Sequence, residues 1–288
     1  MLLVPPGRQT ATVPSYDAAA RTSAATVIEH YSTSFGWATR LLHEPVRTHV
    51  RSIYALVRVA DELVDDAEQP WSRARRAELL DDLHAETLKA VTDGGSANLV
   101  VHAFALTARE YGIGPDLIDP FFDSMRADLQ VRVHDEASLA AYVYGSAEVV
   151  GLMCLRVFVG GSRHRYERLA PGARRLGAAF QKVNFLRDLR ADHGLLGRTY
   201  FPGVDLRTFS DRERDLLLDD IDADLTAAAA AIAELPPSSR RAVLAAHALF
   251  AALSARLRQT PAERIARQRV RVPDHVKARI VARAVMAR

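Results

Sequence analysis

RVADELVDD (residues 58–66) and QKVNFLRDLRAD (residues 181–192) are the two stretches on which the fold turns. Around the first, Tyr54, Arg58, Asp61 and Asp65 follow at steps of four, three and four. In the second, Gln181, Asn184, Asp188 and Asp192 follow at steps of three, four and four. Such steps put the polar groups on a single helical face. Between them lie Leu56, Val57, Leu63 and Val64 in one stretch and Val183, Phe185, Leu186 and Leu189 in the other. Each therefore reads as a largely buried helix with carboxylates along one stripe. Uncompensated buried acids are very costly, so a cation belongs among them. Oxygen ligands with no Cys or His cluster nearby favour Mg²⁺ over zinc, with Mn²⁺ as a substitute. Two such helices facing one another would clamp Mg²⁺ and a polyphosphate. A lone D-x-x-x-D is usually a solvated face; two embedded in apolar helices, each with an arginine (Arg58, Arg187), are much rarer.

The rest of the chain fits a helical protein. Its 288 residues can bury a core large enough for a cavity, and 49% hydrophobic with 25% charged residues is ordinary for a globular chain. Alanine, leucine and arginine are abundant and long β-branched runs are few, which predicts an all-α fold. A net charge of +3 does not imply nucleic acid, and no aromatics are interleaved with the basic residues to stack on bases. The positive charge gathers at the C-terminus, where Arg264, Arg267, Arg269, Arg271, Lys277, Arg279, Arg283 and Arg288 outnumber Glu263 and Asp274. A solvated helix face is the plain reading; contact with an anionic membrane surface is the sharper one. The single Cys154 excludes an internal disulfide and reads as a core residue. No apolar run is expected to span a membrane, so the expected location is cytoplasmic, with peripheral membrane contact through the basic C-terminus.

Turn signals divide the chain into helices within one domain, 16–288, behind a loose tail at 1–15 that carries Pro5, Pro6 and Pro14. Helix signals start near Tyr16, a further apolar-periodic segment breaks near Pro45, and helices are predicted at roughly 46–67, 72–92, 97–111, 116–131, 138–159, 173–192, 210–233, 238–258 and 274–287, with Pro171-Gly172 and His193-Gly194 as breaks. Ser34 reads equally as a helix cap or a phosphate contact. Asp128, after Phe121, Phe122 and Met125, reads equally as a third site carboxylate or a surface ion pair. Gly145 and Gly151, inside an apolar run, let either a ligand or a neighbouring backbone approach, and Glu148 beside them needs a partner.

With these residues on the page, the chain resembles the squalene/phytoene synthase family, nearest to its bacterial phytoene synthases. The resemblance rests on S-T-S-F (residues 32–35), Y-A-L-V-R-V-A-D-E-L-V-D (54–65), M-R-A-D-L (125–129), Y-V-Y-G-S-A-E-V-V-G (142–151) and Q-K-V-N-F-L-R-D-L-R-A-D followed by G-R-T-Y-F-P. Two positions and one segment depart from the family pattern. Glu62 stands for the second aspartate of D-D-x-x-D, and Ala191 for the glutamate of D-x-x-E-D; Y-G-S-A-E-V-V-G differs from the commoner Y-x-V-A-G-T-V-G.

The resemblance implies an isoprenoid synthase fold, a helical bundle around a deep cavity. It implies Mg²⁺-dependent head-to-head condensation of two geranylgeranyl diphosphates, through a cyclopropylcarbinyl diphosphate, to phytoene, without NADPH. Asp61, Asp65, Asn184, Asp188 and Asp192 would then hold the metal, and Arg58 and Arg187 would supplement it. Tyr54 joins the catalytic set. Ser32, Ser34, Phe35, Tyr142, Ala147, Gly151 and Gln181 would contact substrate, while Arg198 and Tyr200 would close over the mouth. The rivals are a C30 synthase using farnesyl diphosphate, a relative that prenylates an aromatic acceptor, and a binding-only assembly factor.

Overall fold

The computed structural model describes residues 15–31, 34–66 and 69–286. The N-terminal tail, apart from Ser15, lies outside them. Among the described residues the regular structure is helical, with one isolated parallel bridge between Val133 and Thr199.

Helix α1 (Tyr16–Tyr31) and the short α2 (Ser34–Thr39) precede α3 (Val46–Asp65), which carries the first acidic stretch. Its inner face buries Val50, Ile53, Leu56 and Val64. Helices α4 (Arg73–Asp93) and α5 (Leu99–Tyr111) follow, each started by a side-chain cap. Ser72 accepts from the Arg75 amide and Asn98 from the Val100 and Val101 amides, satisfying donors that a helix start leaves unpaired. Gly94 and Gly112 end the two helices in left-handed conformations, φ +95° and +69°. Helix α6 (Pro115–Gln130) turns Phe121, Phe122 and Met125 into the core.

The apolar run forms one continuous helix, Glu136–Phe158, in three parts: α7 (Glu136–Val143), a π-turn (Tyr144–Glu148) and α8 (Val149–Phe158). By length and hydropathy this segment could cross a membrane, contrary to the expectation that no run reaches spanning length. Here it packs against α3, α6 and α9. The π-turn is where backbones come closest. A Cβ at Gly145 would lie 2.1 Å from the Pro120 carbonyl oxygen and from Ser124 Oγ, and one at Gly177 would lie 2.6 Å from the Ala147 carbonyl oxygen. At Gly145 the approach is therefore backbone to backbone. Gly145→Ala is expected to cost about 1–3 kcal/mol, read as a lowered Tm, because Pro120 O cannot move aside as a side chain end can. A Cβ at Gly151 would lie 3.0 Å from the Ala173 carbonyl oxygen, so a neighbouring backbone approaches there, and Gly151 also lines the apolar cavity.

Helix α9 (Arg163–Ala191) corrects the prediction at Pro171-Gly172: the helix runs straight through. Tertiary packing outweighs the local breaker, since α8 and α10 hold α9 on both sides. Gly172 makes that packing fit, because a Cβ there would sit 2.3 Å from the Ala231 side chain of α10. His193-Gly194 does not end the helix either; a π-turn (Asp192–Leu196) carries it to Gly197, at φ +64°. Helices α10 (Asp211–Ala233), α11 (Pro237–Arg258), a four-residue turn α12 (Ala262–Ile265) absent from the sequence reading, and α13 (Asp274–Met286) complete the bundle.

Candidate active site

Two adjoining hollows lie between α3 and α9. The outer chamber, about 580 Å³, is lined by Tyr54, Arg58 and Asp61 from α3, by Gln181, Asn184 and Arg187 from α9, and by Tyr142 of α7. The inner cavity, about 300 Å³, is almost wholly apolar and includes Ala147, Gly151 and Cys154. Tyr54, Val57, Ser146, Gln181 and Asn184 line both and form the boundary between them. Burial in these apolar surroundings pushes the Cys154 thiol up to about 12, so it stays protonated and packs as an apolar group.

Asp61, Glu62, Asp65 and Asp188 are each engaged by arginine. Arg58 Nη1 donates to Asp61 Oδ2 at 2.6 Å and Nη2 donates to Glu62, while its guanidinium stacks 4.8 Å over the Tyr31 ring. Asp65 Oδ1 accepts from Arg198 Nη1 at 2.6 Å. Asp188 accepts from Arg187 Nε at 3.1 Å and pairs with Arg269 Nε at 2.7 Å. Even so, the site is under-neutralised. Burial first, then the neighbouring Asp65 charge, pushes Asp61 up to about 6 against Arg58 and Arg198. Burial, then the charges of Asp188 and Asp65, pushes Asp192 up to about 7. The Asn184 Oδ1 atom is buried with no hydrogen-bond partner. Among the described residues no three Asp, Glu, His or Cys side chains form a ready-made metal cage.

Arg198 and Tyr200 were expected over the mouth, and the structure buries them instead at 4% and 5% exposure. The bridge between Val133 and Thr199 explains this: the Thr199 amide donates to Arg132 O and the His134 amide to Thr199 O, pinning the loop after α9 against the α6–α7 turn. There both residues meet Asp128. Its carboxylate accepts from Tyr142 Oη at 2.7 Å and Tyr200 Oη at 2.9 Å and pairs with Arg198 Nη1 at 3.2 Å; Arg198 Nε also donates to the Asp128 carbonyl. Asp128 is thus neither a surface ion pair nor a chamber residue but a buried hub, pushed up to about 7 by burial despite Arg198. The Tyr200 ring stacks on Phe185 of α9 at 4.0 Å.

Ser32 lies outside the described residues, as do the side chains of Ser34 and Phe35. Glu148 has the partner it needed, Arg174 Nε at 2.6 Å. The basic C-terminal stretch contributes more than solvated charge: Arg269, Arg271 and Lys277 line the outer chamber.

The model of the squalene/phytoene synthase family matches residues 28–275. The chain belongs to the squalene/phytoene synthase family. As a member it is a prenyltransferase of isoprenoid biosynthesis acting on prenyl diphosphates. It is similar to the 4,4'-diapophytoene synthase of Staphylococcus haemolyticus (strain JCSC1435), 29% identical over 203 residues, 67% of each chain. Similar too is the 15-cis-phytoene synthase of Paracoccus sp. (strain N81106 / MBIC 01143), 29% identical over 247 residues, 79% of each chain. The fold of this family member matches the crystal structure of a dehydrosqualene synthase in complex with ligand, with a TM-score of 0.77, 18% identity, and coverage of 94% of this chain and 96% of that one.

Proposed function

We propose that this enzyme is a phytoene synthase, joining two geranylgeranyl diphosphates head to head through a cyclopropylcarbinyl diphosphate. The observation that supports this reading is the polar chamber that adjoins an apolar cavity across Tyr54, Gln181 and Asn184. Diphosphate heads fit the first and prenyl chains the second.

The donor set suits a hard divalent cation. It is all oxygen, two of its acids are pushed toward neutrality by burial and by neighbouring carboxylates, and the Asn184 carbonyl oxygen lacks a partner. Asp61, Asp65, Asn184, Asp188 and Asp192 would hold Mg²⁺, or Mn²⁺ in its place. Bound there, the metal neutralises diphosphate charge as the leaving group departs. The chain's own residues do the rest. Arg58, Arg187 and Arg269 turn from their carboxylate partners to diphosphate oxygens, for which the guanidinium fork is matched. Tyr54 and Gln181 orient the chains at the boundary between the two hollows. The apolar walls around Gly151 exclude water that would capture the allylic and cyclopropylcarbinyl cations.

Purified protein given Mg²⁺ with equal geranylgeranyl and farnesyl diphosphate should release pyrophosphate and yield a C40 hydrocarbon by mass spectrometry. A C30 product from the same mixture would make it a dehydrosqualene-type synthase. Turnover only after an aromatic acceptor is added would make it an acceptor prenyltransferase, and no turnover under any of these conditions would leave a binding role.

A further inference from the structure

Two guanidiniums converge on Asp188, and they are held there differently. Arg187 is its neighbour on α9 and donates from Nε to both carboxylate oxygens at 3.1 Å. Arg269 arrives from 81 residues along the chain, its Nε 2.7 Å from Oδ1 and its Nη2 3.3 Å from Oδ2. It sits on the segment between α12 and α13, whose backbone is anchored. Val270 and Val272 are buried in one cluster with Phe250 and Leu253 of α11, and Arg190 Nη1 donates to the Arg267 carbonyl. The Arg269 side chain itself is 51% exposed and lines the chamber with Arg271 and Lys277. Partial burial, then the Arg187 charge, lowers its pKa below the ordinary arginine value against the pull of Asp188. By contrast, Arg58 shares α3 with Asp61 and Glu62, and Arg198 is locked between Asp65 and Asp128. Arg269 combines a fixed backbone with a long, half-exposed side chain, so it can leave Asp188 without moving the fold.

We propose that Arg269 competes with the divalent ion for Asp188 and gives way only when a diphosphate takes up its guanidinium, so that metal and diphosphate enter together. Both oxygens of Asp188 carry donors, and two positive charges already face its one negative charge. A divalent ion arriving alone meets the Arg269 charge at close range and is repelled. A diphosphate arriving with it reverses that sign. The guanidinium fork matches phosphate oxygens as well as it matches a carboxylate, so Arg269 turns to the anion and leaves Asp188 to the metal. Each ligand then raises the other's affinity by the same factor. This inference rests on the reading of the chamber as a metal and diphosphate site, and it holds for any prenyl chain length.

The test titrates the full chain with Mn²⁺ alone, reading the free ion by electron paramagnetic resonance, beside the Tm shift given by Mg²⁺ with inorganic pyrophosphate. Arg269→Gln removes the competing charge and should tighten Mn²⁺ binding about 10-fold. The same variant should weaken pyrophosphate binding in the presence of Mg²⁺ by about 10-fold. Arg269→Lys keeps the charge without the fork, so Mn²⁺ binding should stay near the parent's while the joint Tm shift still shrinks. Arg267→Gln, on the same segment but paired with Glu263 and outside the chamber lining, should leave both readings as they were. A contact that merely held the segment in place would weaken both bindings when lost and would tighten neither. Mn²⁺ affinity unchanged or weakened in Arg269→Gln, or tightened equally in Arg267→Gln, would overturn the proposal while leaving the site reading intact. A parent whose Tm ignores Mg²⁺ with pyrophosphate would sink that reading, and the proposal with it.

Discussion

Asp61→Ala is expected to lower turnover by at least about 10²–10³-fold while leaving Tm unchanged or higher. The two halves of that result come from one cause. Burial and the Asp65 charge push the Asp61 carboxyl up to about 6, so its ionised form is disfavoured in the folded chain. A group whose pKa is raised by folding costs stability once ionised; the cost grows from about pH 4 upward and is complete above the folded value. At neutral pH alanine removes that cost, and Arg58 keeps Glu62 as a partner. The catalytic loss follows because Asp61 is the acid of the first stretch that lines the chamber, where a bound cation and diphosphate would meet it. Kinetics together with calorimetry on the same preparation check both halves. A fall in Tm with turnover intact would make Asp61 a structural acid.

Asp128→Ala should behave in the opposite way, with stability lost first. Three donors converge on this carboxylate: Tyr142 Oη, Tyr200 Oη and Arg198 Nη1. Alanine would take the carboxylate acceptor from two buried tyrosine hydroxyls, leaving Tyr200 Oη only the Arg198 Nη1 donor at 3.3 Å, and would leave a guanidinium that is 4% exposed with Asp65 as its remaining carboxylate. Breaking one partner out of a buried ion pair typically costs about 3–5 kcal/mol. For a chain of this size that lowers Tm by about 6–20 °C. Asp128→Asn keeps the shape and one acceptor oxygen, so it should recover much of the Tm and separate the loss of charge from the loss of packing. Turnover should fall in both variants, since Arg198 loses one of the two carboxylates that hold it in place beside Asp65 and releasing Tyr142 moves a chamber wall. An Asp128→Ala protein melting within roughly 2 °C of the parent, under 1 kcal/mol by the same scaling, would dissolve the hub.

Local spacing made the helical fold and the two acidic faces legible, because a period of 3.6 residues is written directly into positions such as Asp61, Asp65, Asp188 and Asp192. Capping chemistry was equally local, and Ser72 and Ser210 start α4 and α10 as their side chains dictate. What spacing could not show is what reaches a site from far along the chain. Arg198 lies 133 residues from Asp65 and 70 from Asp128, and only the bridge at Thr199 brings it to both. Arg269 lies 81 residues from Asp188. Pro171 misled for the converse reason: its local signal is real, but α8 and α10 grip the helix on either side of it. Asp128 was half legible. Its placement three residues after Met125 and seven after Phe121 sets it on the buried face of α6, yet nothing local told a hub from a surface pair.

The central claim is that the facing acids persist because a divalent ion and a diphosphate are to be held between them. Thermal unfolding with inorganic pyrophosphate and Mg²⁺, separately and together, tests this without any turnover. The expected result is a clear rise in Tm with the two ligands together, little rise with either alone, and loss of the joint effect in Asp61→Ala and Asp188→Ala. A Tm indifferent to the pair, or a joint rise that survives both substitutions, would contradict it.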